Sequence, residues 1–279
     1  MTASETTHYA PSDPNTSGRD ANESGEGTLA PASAESTPPS CHETVEPPGL
    51  GCRSVGDLAV TVVTLVIGTA VVVFLTRYNM QVNSVWAMGD PRVVRSWEEY
   101  LVVNISGLLL IPTLFIMAMP REEPSRFGWA RPVSSSVRTA VLMYIAMLPV
   151  LFGASRVDAF QQYYPIQPQA ALSWSYLLYF EVTYGLYMLT WEFFFRGFLT
   201  FGMARRIGPM PAILLQSIAF GVMHTGKPMP EVIGSFAAGL ILGWLAWRGR
   251  SFVHCFALHW ACSVTFDLLI IGAKPGGIF

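Results

Sequence analysis

Five residues in the last third of the chain could do chemistry together: Glu192, Arg196, His224, His259 and Ser263. Glu192 and Arg196 lie in the run FEVTYGLYMLTWEFFFRGFLTFG, His224 closes FGVMH, and His259 and Ser263 sit in HCFALHWACSVTFD. All three runs are apolar. A charged side chain at membrane depth costs several kcal/mol, so it faces a bundle interior or a wet cavity. Glu192 and Arg196 are four residues apart, which puts them on one helical face and within reach of each other. Glu181 returns to nearly the same face but lies about 16 Å away along the axis at 1.5 Å per residue, too far to share a reacting atom with Glu192.

A carboxylate in this setting feels two opposed effects: desolvation favours its neutral form and a nearby guanidinium its charged form. Poised between them, it can take a proton from water and activate it against a peptide carbonyl. Imidazole N–H groups can stabilise the oxyanion that develops. The same residues could instead ligate a metal, zinc being the natural candidate for His224, His259 and Glu192 with one position open for water. No HExxH occurs, so the commonest helical zinc-protease signature is missing. The plainer reading is an ion pair that only neutralises itself and two hydrogen-bonded core histidines. A carboxylate, a guanidinium and two imidazoles on three separate apolar runs count against coincidence. His254 and His259 are five apart, about 140° around a helix, and cannot both point at one site. Ser263 and Asp267 stay on the side of His259. The candidate is therefore His259, with His254 expected near the membrane boundary, meeting solvent or headgroups.

The order and spacing of these residues resemble the CPBP family of intramembrane endopeptidases, also called the CAAX-protease and bacteriocin-processing or Abi family. Its motifs run Glu-Glu-x-x-x-Arg, Phe-x-x-x-His and His-x-x-x-Asn/Asp. Here they read Trp191-Glu192-Phe193-Phe194-Phe195-Arg196, Phe220-Gly221-Val222-Met223-His224 and His259-Trp260-Ala261-Cys262-Ser263. The resemblance covers roughly residues 172–271. It implies an endopeptidase acting on a membrane-associated protein or peptide, with Glu192 activating water. Arg196 would orient the glutamate or bind the substrate carbonyl, His224 and His259 would stabilise the oxyanion or ligate a metal, and Ser263 would be a supporting donor. No cofactor is required by this reading, zinc being the alternative. Two departures stand out. Trp191 occupies the first glutamate position, which in the prenyl-protein endopeptidases of the family is taken as the base. Ser263 stands where Asn or Asp is usual, with Asp267 one turn further on. These departures favour a rival reading, a non-catalytic pseudoprotease serving as a membrane scaffold or in bacteriocin self-immunity. A second rival is a proton- or ion-coupled transporter with Glu181, Glu192 and Arg196 along its path.

The elements that must position these residues are membrane helices. Of 279 residues 51% are hydrophobic and only 13% charged, with a mean hydropathy of +0.39, whereas a soluble domain carries about 25% charge. A spanning helix needs about 20 mostly apolar residues. Seven runs qualify or come close: roughly 57–76, 99–119, 137–153, 172–200, 210–225, 231–247 and 252–271. The expected fold is all-α, a polytopic transmembrane bundle of about seven spans. Residues 1–53, rich in Ser, Thr, Pro and Glu, cannot bury enough apolar area to offset their ordering entropy and read as a disordered tail. Residues 54–171 would form N-terminal membrane helices, 172–271 the catalytic region and 272–279 a short tail. Nine arginines flank the runs on one side, against four arginines and two lysines on the other. That bias puts the N-terminus in the cytoplasm of what would be a bacterial cell membrane, with the C-terminus outside.

Other features take ordinary readings. A net charge of −2 without a basic stripe leaves no role with nucleic acid. Cys41, Cys52, Cys255 and Cys262 form neither a CxxC pair nor a disulfide framework. Glu98 and Glu99 suit a helix N-terminus, and Glu122 and Glu123 a solvated loop. Gly234, Gly239 and Gly243 are spaced for close helix approach. Phe193, Phe194, Phe195 and Phe220 are expected to pack or to face lipid.

Overall fold

A computed structural model describes residues 55–88, 97–275 and 278. The tail expected at 1–53 lies outside these residues. Among those described there is no strand; the chain is a succession of helices. In order they are α1 (Val55–Met88), α2 (Trp97–Ile105), α3 (Ile111–Ala118), α4 (Ser134–Ala154), α5 (Asp158–Tyr163), α6 (Trp174–Glu192), α7 (Thr200–Ile207), α8 (Pro209–Val222), α9 (Met229–Gly249) and α10 (Val253–Ala273). The apolar runs are rich in Val, Ile and Thr, which are indifferent helix formers in water. Hydrocarbon offers the backbone no partners, so a spanning segment must satisfy its own amides as a helix.

Among the described residues, five helical stretches are long and apolar enough to cross a membrane: Val55–Met80, Trp97–Ala118, Ser134–Ala154, Met229–Gly249 and Val253–Ala273. The other two expected segments are also helical but of another kind. Helix α8 has only 14 residues. Helix α6 runs through a π-helical stretch, Phe193–Leu199, into α7, and its Tyr, Trp and Glu content lowers its apolarity. From Thr190 to Ala204 every residue is buried, and a stretch enclosed by protein need not match lipid, whereas α6 before it keeps an exposed face with Leu178, Val182 and Leu186.

Around this central element α8 packs along α9, α10 lies against α4 and α6, and α1 against α7. Asn79 and Asn104, both buried, exchange two amide hydrogen bonds of 3.1 Å and tie α1 to α2, the polar glue that helices use where lipid supplies no hydrophobic drive. At the start of α8, Gly208 takes φ 84°, a left-handed turn that glycine enters without a Cβ penalty. Pro209 then begins the helix where its missing N–H is no loss.

Two of the three spaced glycines do bring helices together. A Cβ on Gly239 would run into Ser217 of α8, and one on Gly243 would lie 2.6 Å from the Gln216 amide. The close approach lets Gln216 donate to the Gly239 carbonyl at 2.8 Å and Ser217 to the Phe236 carbonyl at 2.6 Å. Gly234 differs, with no atom within 4 Å of its would-be Cβ; it borders a cavity instead. Gly239→Leu is therefore expected to lower stability by about 1–3 kcal/mol, the usual cost of overpacking, read as a lower midpoint of thermal unfolding in detergent. Gly234→Ala should leave that midpoint in place.

Candidate active site

Glu192 ends α6 and Arg196 lies in the π-helical stretch that follows. Arg196 Nε lies 3.2 Å from Glu192 Oε2, and both side chains have no exposed surface. Pairing at this i,i+4 spacing is as the sequence indicates. The widened turn is an addition, since a π segment inside an α-helix often marks a functional position and no residue type announces it. The guanidinium also lies over the Phe220 ring, 3.9 Å from its centroid, a cation–π contact strengthened by desolvation.

The other Glu192 oxygen, Oε1, faces α10 and lies 2.7 Å from His259 Nδ1. A carboxylate accepts, so Nδ1 carries the hydrogen, which in a neutral ring would leave Nε2 bare. His224 Nδ1 likewise donates to the Phe220 carbonyl oxygen at 2.8 Å, leaving its own Nε2 without a hydrogen. The Phe220 ring neighbours both imidazoles, 4.5 Å from the His224 centroid and 6.1 Å from that of His259.

Both imidazoles line one cavity of about 580 Å³. Ser263 and Tyr184 line it with them, while Met143, Met147, Leu151, Leu242, Leu258 and Phe266 make much of its wall apolar. Glu192 and Arg196 are not part of that wall. The carboxylate therefore reaches the cavity only through His259, whose side chain is 22% exposed. Three of the other four candidate residues, Glu192, His224 and Ser263, are thus joined to His259 by contact or by a shared cavity, and Arg196 through Glu192. Among the described residues no three of His, Cys, Asp and Glu come together as a metal cage.

Trp191, in the first position of the Glu-Glu motif, is 4% exposed and meets His224 edge-on, with ring centroids 5.3 Å apart. An indole fills the space beside His224 that the motif assigns to a carboxylate. Phe193, Phe194, Phe195 and Phe220 are at most 1% exposed, so they pack and do not face lipid. His254 is a correction. It is 4% exposed, and its ring lies 3.2 Å from the Leu245 carbonyl oxygen, because α9 and α10 close over it at Gly249. Asp267, one turn beyond Ser263, does not line the cavity and faces Glu181.

The cavity rim carries three polar residues that motif reasoning missed. Lys227 Nζ lies 2.7 Å from Glu231 Oε1, and the Tyr164 hydroxyl lies 2.8 Å from each oxygen of that carboxylate. Burial opposes the Lys227 ammonium, but the carboxylate beside it prevails and holds its pKa above the usual lysine range. The i,i+4 spacing of Lys227 and Glu231 is the signal in the sequence; nothing local ties Tyr164 to them.

The buried ion pair gives a test of its own. Glu192→Gln strands a guanidinium with no exposed surface, and breaking such a pair on one side costs about 3–5 kcal/mol. Arg196→Met should cost a similar amount, and the double variant less than the sum of the two. Unfolding of all four proteins in detergent reads the cycle.

Residues 173–265, a third of the chain, match the family model described as type II CAAX prenyl endopeptidase Rce1-like. Neither a curated protein nor a solved structure matches the chain. The matched stretch contains α6 to α9 and most of α10, and with them every candidate residue from Glu192 to Ser263. The family to which this part of the chain is matched is thus the Rce1-like one, within the CPBP/CAAX proteases that its motifs resemble.

Proposed function

We propose that this integral membrane protein is an intramembrane endopeptidase in which Glu192 activates water through His259. The observation that carries the reading is the Glu192–His259 hydrogen bond of 2.7 Å, with the carboxylate sealed from the cavity and the imidazole open to it. A carboxylate on Nδ1 fixes the tautomer and stabilises the imidazolium that forms when Nε2 takes a proton, the role of the acidic member in Ser-His-Asp triads. The nucleophile here is water. His259 Nε2 takes one of its hydrogens as the oxygen bonds to the carbonyl carbon. The C–N bond then breaks, and the leaving nitrogen receives the proton from His259.

His224 serves as a second acceptor: its bare Nε2 holds the other hydrogen of the water and aims the lone pair at the carbonyl. The hydroxyls of Ser263 and Tyr184, on the same cavity wall, are the donors for the developing oxyanion. Arg196 orients Glu192 and balances its charge. The largely apolar cavity suits a membrane-associated protein or peptide with an apolar segment, and the prenyl group in the family's description is of that kind. The arginine bias of the flanking segments supports a cytoplasmic N-terminus.

A second reading, a non-catalytic scaffold, is favoured by Trp191 standing beside His224 where the motif has a carboxylate. Cleavage of prenylated and unmodified peptides by the purified protein, with and without a chelator, separates the two. His259→Ala and His224→Ala are each expected to lower the rate by about 10²–10⁴, the usual worth of acid–base catalysis, with the chelator inert. No cleavage of any substrate by the folded wild-type protein would favour the scaffold. Loss of activity to the chelator would replace water activation by His259 with metal chemistry.

A further inference from the structure

The seam between α6 and α10 holds more polar chemistry than the candidate site uses. The two helices run in opposite directions: Glu192 meets His259, Tyr184 meets Ser263, and Glu181 meets Asp267. Gly185 makes the seam tight, since a Cβ there would lie 2.6 Å from the Trp260 ring. The Trp260 indole also donates to the Glu181 carbonyl oxygen at 3.1 Å.

Glu181 is 7% exposed and Asp267 1%. Among the described residues no hydrogen-bond donor reaches any of their four carboxyl oxygens, although buried polar groups in native proteins nearly always have partners. Two facing carboxylates in such a place are opposed both by desolvation and by each other's charge. The hydrogen missing from their contact is a carboxyl proton. Around Asp267 the other charged or titratable groups are Tyr184 on α6, Lys227 before α9, Glu231 on α9 and Lys274 after α10. Lys227 and Glu231 already neutralise each other.

The pair also stands between two spaces. Glu181 lines a second cavity of about 550 Å³ between α4, α6 and α10, with Tyr144, Trp174, Trp260 and Thr265. Tyr184 and Ser263 line the first cavity. Asp267 lies about 12 Å along the helix from His259 at 1.5 Å per residue, with Ser263 midway.

We propose that Glu181 and Asp267 hold one proton between them and pass it, through the hydroxyls of Tyr184 and Ser263, between the second cavity and the candidate site. Ser263 gives its hydrogen to water in the first cavity and takes that of Tyr184, which takes the proton of the pair through a bridging water; a hydronium ion of the second cavity refills the pair. Each transfer breaks one O–H bond and forms another, so neither hydroxyl stays ionised. The use of this proton, taken up by the released amine as it leaves as an ammonium ion, rests on the protease reading; its storage by the pair does not. Three acidic, histidine or cysteine ligands for a cation are not gathered here among the described residues, which makes the proton the better-fitting occupant.

Infrared spectra of the full-length protein in liposomes test the storage. The wild-type protein should show the carbonyl stretch of a protonated carboxylic acid at neutral pH, shifted in heavy water and absent from Glu181→Gln/Asp267→Asn. A wild-type spectrum without that band, or a band that heavy water leaves unmoved, overturns the proposal without need of a variant. The pH profile of peptide cleavage tests the transfer: the wild-type profile should carry one ionisation that the double variant lacks. Profiles of identical shape, differing only in height, would mean a structural role and overturn the relay. Absence of cleavage by the wild-type protein strikes the protease reading alone and leaves the infrared result to decide the pair.

Discussion

A carboxylate and a guanidinium with no exposed surface, inside an apolar bundle, are the constraint around which the rest is arranged. Either charge alone would be very costly there. Side by side at 3.2 Å they are bearable, and the Phe220 ring and the His259 imidazole complete the enclosure. The sealed stretch from Thr190 to Ala204 follows from this: the helix that carries the pair must be surrounded by others.

Enclosure has a chemical consequence. In the proposed mechanism a glutamate that cannot meet water leaves the proton transfer to a partner that touches both carboxylate and cavity. His259 is that partner, 67 residues away in sequence and 2.7 Å away in space. Trp191, in the position of the motif's first glutamate, packs edge-on against the His224 ring.

Part of this was readable in the residues. Spacing alone pairs Glu192 with Arg196 and separates His254 from His259, and the apolar runs locate every membrane helix that the coordinates describe. Spacing also identifies Gly239 and Gly243 as contact points, though it includes Gly234, whose Cβ direction is open. What escaped is whatever depends on contact between distant segments or on a departure from ideal helix geometry. Nothing near residue 193 marks a π-helical turn. His254 reads as a boundary residue until α9 is seen folded over it. Glu181 and Asp267 each look like a stray charge, because their partnership exists only once α6 and α10 are antiparallel neighbours.

The account stands or falls on which nitrogen of His259 carries the hydrogen. Nitrogen NMR of the protein labelled in histidine, with His259 assigned by its loss in His259→Ala, reads this directly. The account predicts a neutral ring protonated at Nδ1 and bare at Nε2, a state disturbed by Glu192→Gln. A ring protonated at Nε2 and bare at Nδ1, unaltered by that substitution, would contradict it.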